Sequence, residues 1–168
     1  MIKPRIYFAG KIAANCWRHD VVPKLRGWHQ TDGPIECGRF IYTGPFFVSC
    51  DHKCRHGDAT HGVLGIGCEP ELEETREAVF EKNQAALQSS SRVFAYIASP
   101  YCYGTLIELG WAARAGIPIF IVFAPSVDHE DFWYAQQLSR RAIFRPIIAT
   151  RSGLPELFRA YLAGRLER

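Results

Sequence analysis

No stretch of this chain is apolar for long enough to span a bilayer: the longest run, residues 117–125, is about half the required length. Neither sign of charge dominates. Twenty basic residues against 17 acidic ones leave a formal charge of +3, spread along the chain. That balance argues against a nucleic-acid polymer or an anionic membrane surface as partner. Met1-Ile2-Lys3-Pro4-Arg5 leads straight into a strand-like segment and shows no signal-peptide cleavage pattern, so a cytoplasmic location is expected. Internal repeats and low-complexity segments are also missing, as is a paired Cys-x-x-Cys. What is present suits one domain over residues 1–168, with 48% hydrophobic and 13% aromatic residues to build a core. The six cysteines are expected to be reduced thiols, because the chain is long enough to fold without staples and carries no export signal.

Several short segments are apolar throughout. Arg5-Ile6-Tyr7-Phe8-Ala9 reads as a buried strand stopped at Gly10, with residues 93–98 and 119–123 as two more and residues 143–148 as a weaker one. Between them the pattern predicts helices over 13–25, 69–90, 105–115, 130–141 and 153–166. Pro70 and the acidic run Glu69, Glu71, Glu73, Glu74 suit a helix start, while Gly116 and Pro118 suit a stop. Residues 27–67 differ: they are rich in Gly, His, Cys and Asp, without a sustained helical period, and only residues 46–50 look like a strand. Such a stretch carries function or hides short strands. Apolar strands alternating with helices mean an α/β fold. We expect a Rossmann/flavodoxin-like parallel sheet of about five strands with helices on both faces, plus an irregular Cys/His-rich insert. Ligands in such folds sit beyond the carboxyl ends of the strands. That rule singles out Gly10-Lys11, the segment from Ser99 to Glu108, and Ala124-Pro125-Ser126.

The segment Ser99-Pro100-Tyr101-Cys102-Tyr103-Gly104-Thr105-Leu106-Ile107-Glu108 is the most suggestive. Gly104 and Thr105 open a helix at a strand's carboxyl edge, where backbone N–H groups can meet an anion or a ribose hydroxyl. Glu108 follows one turn later among apolar neighbours. It is either a first-turn glutamate favoured by the helix dipole or a nucleophile of the kind used in glycosyl transfer.

Tyr7-Phe8-Ala9-Gly10, together with Gly104-Thr105-x-x-Glu108-Leu109-Gly110 and the following Gly116-x-Pro118, resembles the nucleoside 2-deoxyribosyltransferase superfamily, which includes nucleoside 5'-monophosphate N-glycosidases. The match covers residues 5–11 and about 74–123. The resemblance implies that Glu108 attacks the anomeric carbon of the sugar and that Tyr7 hydrogen-bonds and positions its carboxylate. It implies that Gly10 allows close approach of sugar or phosphate and that Gly104 and Thr105, beside Ser99, shape the ribose site. Two family aspartates fall on Asn83 and Cys102. Asparagine can hold a base edge but cannot act as a general acid, and cysteine is a poor substitute. Either the leaving group needs no proton or another residue supplies it. Lys11 and Arg18 flank the first turn; the monophosphate hydrolases resemble this chain in placing basic residues nearby, and a cation there favours a phosphorylated substrate. The family's late helix often reaches a neighbour's site, and Phe132-Trp133-Tyr134 lies in the matching region, so a homodimer or higher homo-oligomer is expected.

The insert around Cys50-Asp51-His52-Lys53-Cys54-Arg55-His56 has no counterpart in the transferases. It reads as a zinc site from Cys50, Cys54 and two of His52, His56 and His61, as a substrate loop using Asp51, His52 or His56, or as a structural loop. The substrate loop is the reading carried forward, with no metal ligand among the site residues and no cofactor. Trp28, Trp133 and Tyr134 are candidates to stack a base, though core packing is the commoner fate of such rings. The partner expected is therefore a small nucleoside or nucleotide, with hydrolysis preferred over base exchange. Two rivals stand beside it: cleavage of NAD as in TIR-like proteins of related architecture, and a nucleotide-sensing module without catalysis.

Overall fold

The computed structural model describes residues 2–12, 16–25, 34–45, 76–139 and 146–166. Six strands form one sheet: β1 (Arg5–Ala9), β2 (Ile35–Glu36), β3 (Ile41–Gly44), β4 (Arg92–Ile97), β5 (Ile119–Phe123) and β6 (Ile147–Ile148). Their order is β2-β3-β1-β4-β5-β6. All neighbours are parallel except β2 and β3, which pair antiparallel at the edge. The parallel part thus has the 2-1-3-4-5 order of a flavodoxin-like sheet, and the order reverses between β1 and β4. Among the described residues the sheet has six strands where about five were expected, and the two not expected are β2 and β3. Neither β2 nor β3 stood out in the sequence, because β2 is two residues long and β3 reads Ile-Tyr-Thr-Gly, with a polar residue in its centre. Thr43 is buried there, and its hydroxyl meets that of Ser90 at 2.7 Å, so the polar group is satisfied.

The described residues hold five helices: α1 (Arg18–Val21), α2 (Arg76–Gln88), α3 (Tyr103–Arg114), α4 (Trp133–Gln136) and α5 (Leu154–Leu162). Alternation along the strands decides which face each helix covers. Phe8 of β1 and Phe94 of β4 point to α5, where Phe158 lies 5.0 Å from each ring centroid. Leu154, Phe158 and Tyr161, spaced i, i+4 and i+7, form the buried stripe of α5. Tyr7 points to the opposite face, where it meets α3. β4 and β5 are apolar and almost wholly buried, as a doubly covered parallel sheet requires.

Three helices are shorter than their sequence patterns predict. Described residues of the 13–25 segment hold only α1 and a 3-10 turn at Pro23–Leu25, Pro23 having no N–H with which to continue the helix. The 130–141 segment becomes a 3-10 turn at His129–Phe132, capped by Asp128, followed by the four-residue α4. Three successive i to i−3 bonds, from Gln137 to Ser139, then tighten the chain out of α geometry. The final helix ends at Leu162 rather than residue 166. The expected strand at residues 46–50, the helix start at 69–75 and residues 143–145 lie outside the described residues. Among the described residues no helix is long and apolar enough to cross a membrane.

Candidate active site

β1 and β4 are the strands between which the order reverses, and a cleft opens over them between α2 and α3. Its volume is about 170 Å³, comparable to the roughly 150 Å³ engineered cavity that accepts a benzene ring. From α2 it is lined by Phe80, Asn83 and Leu87, and from α3 by Gly104, Ile107, Glu108 and Trp111. Each set repeats at helical spacing on one face. A second face of α3, Thr105, Leu109 and Ala112, is buried. Glu108 therefore stands at the border between core and cleft. Phe80 and Trp111 meet edge to face at 5.3 Å between centroids and form the apolar wall.

Tyr7 forms the floor. Its hydroxyl donates to Glu108 Oε1 at 2.5 Å, a length typical of a bond to a charged acceptor. Burial, then the adjacent Glu108 charge, holds the phenol well above its ordinary pKa. Tyr7 thus keeps its proton and donates it in a hydrogen bond to the ionised carboxylate. Burial pushes the Glu108 carboxyl up to about 7, against the opposing pull of the Tyr7 hydroxyl and the Arg18 guanidinium. A carboxyl that titrates near neutrality while touching a cleft can act as nucleophile, base or acid.

The structure thus brings together Tyr7, Asn83, Gly104 and Glu108 of the expected site. Cys102 is buried just beneath the start of α3 and Thr105 faces the core; neither lines the cleft. Burial raises the Cys102 thiol, with its backbone hydrogen bond and the Lys11 charge lowering it in part. Lys11 itself is exposed. Ser99 uses its hydroxyl to accept from the Tyr101 backbone N–H at 3.2 Å.

Arg18 requires a correction. It is fully buried rather than a surface cation awaiting phosphate. Its guanidinium donates to the carbonyls of Phe8, Gly10 and Lys11 at 2.9, 2.7 and 3.3 Å. It fixes the turn after β1 and lowers the pKa of Glu108 from within the protein. Gly10 is corrected as well. A Cβ there would lie 2.8 Å from the Tyr96 carbonyl and 2.9 Å from Trp17 Nε1, so the close approach that requires glycine is to the protein itself.

Asp51, His52, Trp28 and the zinc reading of the insert lie outside the described residues. Among the described residues no cluster of three or more His, Cys, Asp or Glu side chains is placed to hold a metal ion. Trp133 and Tyr134 are exposed and pack on each other, 5.5 Å between centroids, and neither lines the cleft. Of the rings that line it, Tyr7 was expected from the sequence, whereas Phe80 and Trp111 were not singled out. Trp111 sits three residues after Glu108, the spacing of one helix face, and that signal was there to be read. No protein-family model matches the chain, and no curated protein matches it.

Proposed function

We propose that the protein cleaves or transfers the N-glycosidic bond of a small nucleoside or nucleotide, with Glu108 as nucleophile, as in the nucleoside 2-deoxyribosyltransferase superfamily that its motifs resemble. The observation that carries the reading is the 2.5 Å contact between Tyr7 and Glu108 in a cleft sized for one ring. The Glu108 carboxylate attacks the anomeric carbon, the C–N bond breaks, and its electron pair leaves with the base. Water or a second base then attacks the glycosyl ester from the other face and frees Glu108, with net retention. Tyr7 holds the carboxylate in place and favours its ionised form. Asn83 can hold an edge of the base but cannot protonate it, so the reaction suits a base that is already cationic while attached and departs neutral, or one that takes its proton from water.

With Arg18 engaged inside the fold, preference for a phosphorylated substrate rests on Lys11, exposed in the turn after β1. Hydrolysis of a nucleotide therefore remains the favoured form. Self-association would use the exposed Trp133-Tyr134 surface. The test is release of free base from a panel of nucleosides and nucleotides, followed by chromatography. Wild-type protein should release base from at least one of them, and Glu108→Gln should lower that rate by at least a thousandfold. Unchanged turnover in the variant would remove Glu108 from the mechanism.

A further inference from the structure

The cleft at Glu108 is continued by another. A second cleft of about 200 Å³ shares Leu87 and Trp111 with the first and runs toward the carboxyl ends of α2 and α3. Its polar lining is Gln84 and Gln88 from α2 and Arg114 from the last turn of α3, with no acidic residue. Among the described residues, no hydrogen bond or ion pair engages the side chain of Arg114, Gln84 or Gln88.

Trp111 and Arg114 follow Glu108 at i+3 and i+6, each turned about 60° from the last, so the series winds along α3 from the first cleft to the second. At 1.5 Å per residue, the Arg114 backbone lies about 9 Å beyond that of Glu108, and helical side chains lean back toward the N-terminus. Its guanidinium can therefore approach the far edge of a ring seated beside Trp111. Resting on the glycosidic reading, we propose that this second cleft holds the outer edge of the leaving base and selects a heteroaromatic base that carries a carboxylate. An arginine fork matches a carboxylate bidentately, and two carboxamides can add donors but cannot neutralise its charge. The charges are complementary along the whole ligand. Positive charge developing at the anomeric carbon faces Glu108, and the negative end of the base faces Arg114.

Binding is best measured by calorimetry on Glu108→Gln protein, which keeps ligands intact. The probes are two matched pairs: uridine with 5-carboxyuridine, and the ribosides of nicotinamide and nicotinic acid. The carboxylate member of at least one pair should bind about tenfold tighter than its neutral partner, and adding Arg114→Gln should abolish that difference. Arg114→Lys, which keeps the charge without the fork, should leave an intermediate preference. Equal binding within both pairs, no binding of any probe, or a preference that survives Arg114→Gln overturns the proposal. Base release by the wild-type enzyme combined with any of those results would leave the glycosidic reading intact. An Arg114-dependent preference without base release from any substrate would support the carboxylate site and overturn the glycosidic reading.

Discussion

Glu108 combines two properties that conflict in a purely structural residue. It is surrounded by protein, yet it reaches a cleft, and burial holds its carboxyl at about 7 instead of 4.5. The folded protein therefore binds this proton more tightly than the unfolded chain. The stabilisation is complete below about pH 4.5 and is lost as pH rises through about 7, at a cost of up to roughly 3 kcal/mol. Thermal or urea denaturation from pH 4.5 to 8.5 should show Glu108→Gln gaining on the wild type by up to that amount across the interval. A constant difference would mean that Glu108 is not held protonated by burial. Tyr7 pulls the other way, since its hydrogen bond favours the carboxylate. Tyr7→Phe should move the acidic limb of the pH–rate profile to higher pH and lower the rate at pH 7 on the order of tenfold. An acidic limb that stays in place would deny Tyr7 this role.

Two elements position the site. The turn after β1 is pinned from inside by the Arg18 fork, so Arg18→Met should cost about 3 kcal/mol or more by leaving buried carbonyls without donors. Arg18→Lys should restore only part of it, because an ammonium lacks the fork. On the other face, α5 presses Phe158 against Phe8, Phe40 and Phe94. Phe158→Ala should cost about 3–5 kcal/mol in urea denaturation. These elements were unequally legible. β1 and β5 match their apolar runs residue for residue, and β4 lies within one residue of its own, because a strand buried on both faces must be apolar throughout. β3 escaped notice because a central strand can contain a threonine once Ser90 satisfies it. The apparent helix over 130–141 proved mostly turn, because its apolar residues pack from a 3-10 segment, as Phe132 does against Phe123.

At the scale of the whole molecule, sheet order decides where chemistry can occur. The reversal between β1 and β4 places Tyr7 beside the helix that follows β4, and α2 closes the far wall of the cleft. Tyr7 and Glu108 were legible as a pair only through their motif, since they are 101 residues apart and no periodicity links them. Arg18 was misread for a related reason. A cation beside a glycine turn looks the same in sequence whether it faces solvent or the carbonyls of that turn. Trp111 was legible from its spacing to Glu108, whereas Phe80, on a different helix, gives no sign in the sequence of which groove it will share.

The account as a whole depends on a covalent bond between Glu108 and a sugar. Rapid acid quench of wild-type protein during turnover of a nucleoside or nucleotide, followed by peptide mass spectrometry, reads that bond directly. The expected result is a mass gain equal to the glycosyl unit on the peptide containing Glu108, absent in Glu108→Gln. Base release at full rate with the label elsewhere, or from the Glu108→Gln protein, would contradict it.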